Sequence, residues 1–464
     1  MELKMRHTSV FLTLATLLSV LLFAGALRAE ETAAATDPMS PEYYAIWNDD
    51  VQRQIDERIE KYRKADANVW IPGVKPGSEV TIEMIRHKFL FGAHIFSFDQ
   101  LGSDELNAKY KETYGTLFNA ATVPFYWKAF EREPGQPRFA AGPEDTAEFW
   151  NSCPEPKKHP YWRRPATDPI VDYLESRHIV MNGHPLVWSN IAHQVPAWLP
   201  KDKNEIERLI NQRITEIAQH YGSRIDRYDV VNESASAFRR EGHAEDHMPE
   251  NYTLKAFQSA DRAFPKSVLF NINDYYVNET YAQQIKWLVN EGCRIDVVGI
   301  QMHLFNPADT LKIAQGAKIQ TPEEQEQRLG AASKGGRPLH LSEITITAPG
   351  DDETGRAIQA IVARNLYRYW FSWPTMMGIT WWNTVDDCAV EGEPQTSGLF
   401  TRQMEPKPSF YALDQLINHE WKTSITVTAE ESTFDYTFRG FKGTYEVRWT
   451  TEEGEPMVMT MEVE

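Results

Sequence analysis

The chain has 464 residues, 42% hydrophobic and 25% charged, enough for one large barrel with an attachment or two to three medium domains. A formal net charge of -18 disfavours a polyanionic partner, so nucleic acid is not expected to bind. The three cysteines, Cys153, Cys293 and Cys388, are far apart and match neither a disulfide framework nor a metal spacing; at most one bridge could form, and buried free thiols are the expectation.

The first 29 residues read as a processing segment. Lys4, Arg6 and His7 precede an apolar run from Val10 to Leu22, and the small residues Ala24, Gly25, Ala26 and Ala29 follow. A basic start, a short apolar core and small residues at the cut form a secretory signal, with cleavage expected after Ala26 or Ala29. The run is short for a membrane anchor. The expected location is secreted or periplasmic, with no stable membrane insertion after cleavage.

Residues 30–85 read as a small polar lead, a charged helix over 50–64 and short strands within 68–90 that alternate apolar with polar residues around Pro and Gly. Residues 86–420 then repeat one unit. Apolar strands are predicted at 89–93, 117–123, 179–184, 225–232, 268–273, 295–303, 338–343 and 377–382. Helices are predicted at 104–115, 168–178, 203–221, 250–264, 279–291, 321–334, 354–371 and near 408–419. Eight strand–helix units predict an α/β chain closed into a (β/α)8 TIM barrel. An open doubly wound sheet is the alternative, weakened because no Gly-rich phosphate loop follows the first strand. Long stretches after the second and fourth strands, 125–165 and 234–249, fall where loops of the catalytic face belong. Within the first, His159 to Pro165 (HPYWRRP) reads as an aromatic wall.

Residues 421–464 alternate again between turns, as antiparallel β structure does, with Phe434, Tyr436, Phe438, Phe441, Tyr445 and Trp449 largely at alternate positions. Too short to stand alone, this segment is predicted to pair with the strands of 68–90 in one small accessory β-domain that braces the barrel. The 14 Trp and 19 Tyr fit either packing against sugar faces or the filling of a large core, and composition alone does not separate the two.

Two predicted strands end in carboxylates. Tyr228-Asp229-Val230-Val231-Asn232 runs into Glu233, and His340-Leu341-Ser342 into Glu343. The C-terminal ends of barrel strands line the active face. Two carboxylates facing each other there are what glycoside hydrolysis requires: one protonates the leaving oxygen, and the other attacks the anomeric carbon or activates water. A lone Glu after a strand is usually a solvated loop residue; two on strands across one barrel, each beside polar residues, are harder to dismiss.

Over residues 85–419 the chain resembles glycoside hydrolase family 10, typified by endo-β-1,4-xylanases. His87-Lys88-Phe89-Leu90-Phe91-Gly92 is similar to that family's opening strand, and Gly183-His184-Pro185-Leu186-Val187-Trp188 to its Gly-His-Thr-Leu-Val-Trp. Tyr228 to Glu233 resembles its Trp-Asp-Val-Val-Asn-Glu. Asn273-Asp274-Tyr275, Gly299-Ile300-Gln301-Met302-His303, Ser342-Glu343, Ile379 to Asp386 and Pro406-Lys407-Pro408 follow in the family's order. The resemblance implies a retaining enzyme with Glu233 as acid/base and Glu343 as nucleophile, requiring no cofactor or metal and acting as a monomer. It further implies that Asn232 donates to the sugar 2-hydroxyl, that Gln301 bonds Glu233 or the substrate and that His303 bonds Glu343. His184 and Trp188 would hold the attacked sugar, Trp382 would form its floor, and Lys128 would bond the next sugar outward. Asn273 and Asp274 would support the site from behind.

The departures lie in the sugar-gripping shell. Pro124 and Phe125 stand where the family has a polar Glu-Asn pair before its Met-Lys. Ser189 follows Trp188 in place of His, with His193 four residues on. Thr345 replaces the acidic residue of Thr-Glu-Leu-Asp, and the loop at Asp386-Asp387-Cys388-Ala389 lacks the family's second Trp. A polysaccharide or oligosaccharide substrate of xylan type is therefore the default, and another β-linked plant polysaccharide the alternative. The loop with Trp162, Arg163 and Arg164 adds positive charge near the cleft, which could accommodate an acidic sugar decoration; pairing of the two arginines with local acids is the expectation. A non-catalytic carbohydrate-binding barrel is the competing reading from another class. A metal-dependent hydrolase is disfavoured because His184 and His303 belong to no clustered His/Asp set.

Overall fold

The computed structural model describes residues 37–245 and 247–464, so the predicted signal segment lies outside the described residues. The chain opens with helices Pro41–Ile46 and Asp49–Arg63. The second is capped by Asn48, whose side chain accepts the Val51 N–H at 3.1 Å, and its acidic first turn and basic last turn suit the helix dipole. Ile55 and Ile59 form its buried side.

In chain order the strands are β1 (Lys64–Pro72), β2 (Glu79–His87), β3 (Leu90–His94), β4 (Ala120–Pro124), β5 (Val180–His184), β6 (Val187–Trp188), β7 (Arg227–Asn232), β8 (Leu269–Asp274), β9 (Val297–Leu304), β10 (Leu339–Ile346), β11 (Met376–Trp381), β12 (Ser424–Thr428), β13 (Thr433–Phe441), β14 (Gly443–Thr450) and β15 (Pro456–Val463). The parallel sheet has the order β5-β4-β3-β11-β10-β9-β8-β7-β6, and a β5–β7 pairing closes it. The eight predicted strands are thus the eight staves of a closed (β/α)8 barrel. They are largely buried rather than alternating in exposure, because helices cover one face and the barrel interior closes on the other; all eight residues of β10 are buried, the polar His340, Ser342, Glu343 and Thr345 among them. Pro185, which has no N–H to give a ladder, stands between β5 and the two-residue β6 that continues beside Val231 and Asn232.

The helices fall where predicted, Lys203–Tyr221 to the residue, and the last passes from α-helix at Pro408–Asp414 to π-helix at Gln415–Glu420. The long segment after β4 is ordered by short helices at Trp127–Phe130 and Ala147–Ser152 and a 3-10 turn at Pro156–Lys158.

The two ends of the chain pair as expected. β1 lies antiparallel to β13, and β2 sits between β12 and β14, with β15 outside β14. Val80, Ile82, Met84, Phe438, Tyr445 and Val447 are buried in this accessory unit, whereas Tyr436 and Trp449 are only partly covered. Trp421, at the junction, stacks on Phe371 at 4.0 Å and on Phe91 of β3 at 5.6 Å, joining accessory unit and barrel. All three cysteines are free, Cys293 and Cys388 buried. Among the described residues no helix is long and apolar enough to cross a membrane.

Candidate active site

β7 ends at Asn232, and the chain turns sharply at Glu233, whose backbone lies in the left-handed region (φ 53°) while its N–H donates to the Asn273 carbonyl on β8 at 2.7 Å. A non-glycine residue held there is strained by about 1 kcal/mol or more, and such strain recurs where a side chain must be aimed. Asp274 secures the turn by accepting the Ala235 N–H at 2.8 Å and the Tyr276 N–H at 2.7 Å. Glu233 Oε1 accepts from Gln301 Nε2 of β9 at 3.0 Å. Burial, reinforced by the nearby charge of Glu343 and opposed by the Gln301 donor, pushes the Glu233 carboxyl up to about 7.

Glu343 sits on β10 where the register against β9 shifts between His340 and Glu343. Irregularities of this kind re-aim side chains next to active sites. Asn273 Nδ2 donates to its Oε1 at 2.7 Å, and two histidines flank the carboxylate, His184 Nε2 at 3.7 Å from the same oxygen and His303 Nε2 at 3.4 Å from Oε2. Asn273 is the hub. Its amide nitrogen also donates to Asn232 Oδ1 at 2.9 Å, and its carbonyl oxygen accepts from Ser342 Oγ at 2.5 Å. Asn232 Oδ1 accepts from Gln301 as well, at 3.3 Å, which leaves its amide nitrogen as the end available to a substrate hydroxyl. Gly299 makes room for this arrangement, since a Cβ there would stand 2.7 Å from Asn273 Oδ1 and 3.1 Å from Ser342 Oγ.

His184 is fully buried, and its Nδ1 meets Asp229 Oδ2 at 2.7 Å. Burial alone would depress its basicity; the hydrogen bond to Asp229 and the charges of Glu343, Asp229 and Glu233 outweigh it, and the net shift is upward. His303 is oriented from its other nitrogen by Thr345 Oγ1 at 2.9 Å.

These groups border a cavity of about 460 Å³. Trp382 lies across its base, edge-on to His184 at 5.4 Å and to Phe96 at 5.3 Å. Tyr126, Arg163, Arg164 and Glu393 form a wall, and Trp188, stacked on His193 at 5.9 Å, and Tyr275 stand at a margin. A second hollow of about 870 Å³ shares Trp188, Glu233 and Tyr275 and continues past Ile191, Leu199 and Arg240; Glu343 borders only the first.

Of the sequence-predicted site residues, Glu233, Glu343, His184, Trp188, Asn232, Gln301, His303 and Trp382 all line the first cavity. Lys128 does not. It lies on the short helix Trp127–Phe130, where Trp127, Ala129 and Phe130 turn into the core, so Lys128 points outward and its ammonium donates to the Ala192 carbonyl at 2.9 Å. Tyr126, two residues earlier, takes the place at the cavity. The HPYWRRP segment divides: Trp162 packs on Trp150 at 5.6 Å, whereas Arg163 and Arg164 reach the cavity. Asp229 is a further site residue, and its signal in the sequence was an acid inside an otherwise apolar run, four residues before Glu233. Glu393 could not be found, because it lies in a loop without pattern. Among the described residues no group of three or more His, Cys, Asp or Glu side chains is arranged to hold a metal ion.

Comparison with known proteins places these features in a family. The description "Glycosyl hydrolase family 10" matches residues 103–416. The chain is 26% identical over 290 residues to endo-1,4-beta-xylanase B of Thermotoga neapolitana, covering 59% of this chain and 79% of that protein. It is 32% identical over 152 residues to endo-1,4-beta-xylanase 2 of Claviceps purpurea, covering 30% of this chain and 45% of that one. Xylanase 10B of Thermotoga maritima shares the fold with a TM-score of 0.56 at 22% identity, covering 72% of this chain and 96% of the other. Xylanase 10B of Thermotoga petrophila RKU-1, solved with xylobiose, does so with a TM-score of 0.55 at 21% identity, covering 72% and 95%. With an eight-stranded barrel, one Glu directly after β7 and another within β10, and a match spanning most of the chain, this protein belongs to glycosyl hydrolase family 10.

Proposed function

We propose that the chain is an exported, retaining glycoside hydrolase that cleaves a β-1,4-linked xylan-type polysaccharide by double displacement. The observation that carries the reading is the contrast between two carboxyls bordering one cavity. Glu233 is partly buried and its carboxyl is pushed up to about 7, whereas Glu343 accepts a hydrogen bond from Asn273 and is flanked by His184 and His303. Two carboxyls in opposed environments divide the acid and nucleophile roles between them. The xylanase names of the relatives support the substrate class.

In the first step Glu343 attacks the anomeric carbon, the glycosidic C–O bond breaks, and the Glu233 proton passes to the leaving oxygen. The sugar on Glu343 lies in the first cavity, and the departing portion lies towards the hollow that only Glu233 shares. Esterification removes the negative charge of Glu343, one of the causes holding the Glu233 pKa up. Glu233, now ionised and more acidic, takes a proton from water as the water oxygen attacks the anomeric carbon; the bond from that carbon to the Glu343 oxygen breaks, the Glu343 carboxylate is regenerated, and the sugar leaves with its original anomeric configuration.

The test is hydrolysis of xylan, arabinoxylan, glucuronoxylan, mixed-linkage glucan and an aryl β-xylobioside by wild type, Glu233→Ala and Glu343→Ala, with the first product's anomer read by NMR. The expected outcome is cleavage of a xylan with retention, loss of activity in both variants, and a 2-deoxy-2-fluoro xylobioside label on the peptide containing Glu343. Full activity of Glu343→Ala would refute the nucleophile. Binding without any turnover would favour a non-catalytic carbohydrate-binding barrel. For export, mass spectrometry of protein recovered outside the cytoplasm should find an N-terminus directly after Ala26 or Ala29; an intact Met1 would refute it.

A further inference from the structure

The two adjacent arginines of the cavity wall are not equivalent. Arg163, buried and with a left-handed backbone (φ 58°), is engaged at both terminal nitrogens: Nη1 lies 3.2 Å from Glu393 and Nη2 2.7 Å from His94 Nε2. Among the described residues no carboxylate lies within ion-pair distance of Arg164. One of its N–H groups donates to the Arg163 carbonyl at 2.8 Å, and its guanidinium lies 3.5 Å above the Tyr126 ring. That stack and that hydrogen bond hold the guanidinium at the cavity wall, in a site where Tyr126, His184 and Trp382 adjoin. A guanidinium carries five donors in a planar fork, and a partly buried one with most of them unspent is matched by a planar carboxylate. The near acid, Glu393, is already committed to Arg163 and, at 3.1 Å, to Asn383 Nδ2.

We propose that Arg164 is the receptor for the carboxylate of a uronosyl group carried by the glycan, so that this enzyme prefers an acidic, substituted chain over a neutral one. The inference rests on the glycoside hydrolase reading and deepens it. It is a binding role, separate from the chemistry at Glu233 and Glu343. Arg328 borders the same cavity, and among the described residues it has no ion pair, aromatic stack or hydrogen bond to fix it; it serves as the comparison.

The experiment uses matched xylo-oligosaccharides bearing one glucuronosyl substituent and their twins in which that carboxyl is reduced to a primary alcohol. The readout is the ratio of kcat/KM for acid over alcohol, which cancels any general damage to the enzyme. Wild type should show a ratio of about 10 to 100, as a charge-assisted bidentate contact supplies. Arg164→Gln should bring the ratio near 1, Arg164→Lys should keep part of it, and Arg328→Gln should leave it at the wild-type value. A wild-type ratio near 1, a ratio preserved in Arg164→Gln, or one lost in Arg328→Gln would each overturn the assignment. If wild type cleaves neither twin, the hydrolase reading is what has failed, and calorimetric titration of both twins decides this one. Tighter binding of the acid that is lost in Arg164→Gln sustains it, and equal binding ends it.

Discussion

Glu233 sets the pH dependence. Its carboxyl, lifted by burial and by the Glu343 charge to about 7, must be protonated for the first step. The basic limb of kcat/KM should therefore fall through about pH 7. Gln301 lowers that pKa by donating to the carboxylate. Gln301→Met should move the limb upward, and an unmoved or lowered limb in a pH–rate profile would refute the role. The same shift has a cost in stability. A carboxyl whose folded pKa is raised from 4.5 favours folding fully below about pH 4.5, and that contribution is lost as pH rises through about 7. Glu233→Gln, neutral throughout, should be more stable than wild type at pH 8 by about 2 kcal/mol after discounting for solvent screening, and indistinguishable at pH 4. Urea unfolding at the two pH values measures both.

Two glycines decide what the barrel strands can carry. On β9, Gly299 lets Asn273 and Ser342 approach; the Cβ of Gly299→Ala would displace the amide that holds both Glu343 and Asn232. A shift of this size in a positioning group costs about 100-fold, so kcat should fall by roughly that factor with a smaller change in KM. On β5, a Cβ at Gly183 would meet the Tyr228 ring at 2.3 Å, and Tyr228 is locked between Phe125 and Phe264. Gly183→Ala should therefore cost about 2–3 kcal/mol in a chemical denaturation series, as overpacking does. A variant as stable as wild type would show that the strand can move away from the ring. Neither glycine announces itself in the sequence, because a strand glycine is ambiguous until the neighbouring strand is known.

At the scale of the molecule, the ends of the chain hold the barrel from below its own sequence span. β12, β13 and β14 supply the pairing partners of β1 and β2, and Trp421 stacks into Phe91 and Phe371. A chain ending at residue 423 would leave two strands without partners and expose Val80, Ile82 and Met84. It should give little soluble protein or a clearly lower Tm. A truncated chain that melts with the full-length protein would show that the accessory unit is dispensable to the barrel.

Features that repeat, or that an apolar run leads into, were legible in the chain alone. Largely apolar runs alternating with helices are satisfied by a parallel sheet covered on both sides, and eight such units without a Gly-rich phosphate loop favoured the closed barrel over an open sheet, with Glu233 and Glu343 on its catalytic face. Alternation of aromatics likewise specified the pairing of the two chain ends. Tertiary structure decided which neighbours meet. Lys128 looked like a sugar contact until a short helix turned it out to Ala192. Arg163 and Arg164 looked alike until one met Glu393 and the other the face of Tyr126. Loops have no period, so the direction of their side chains is set by packing against distant segments, and that information exists only once the chain has folded.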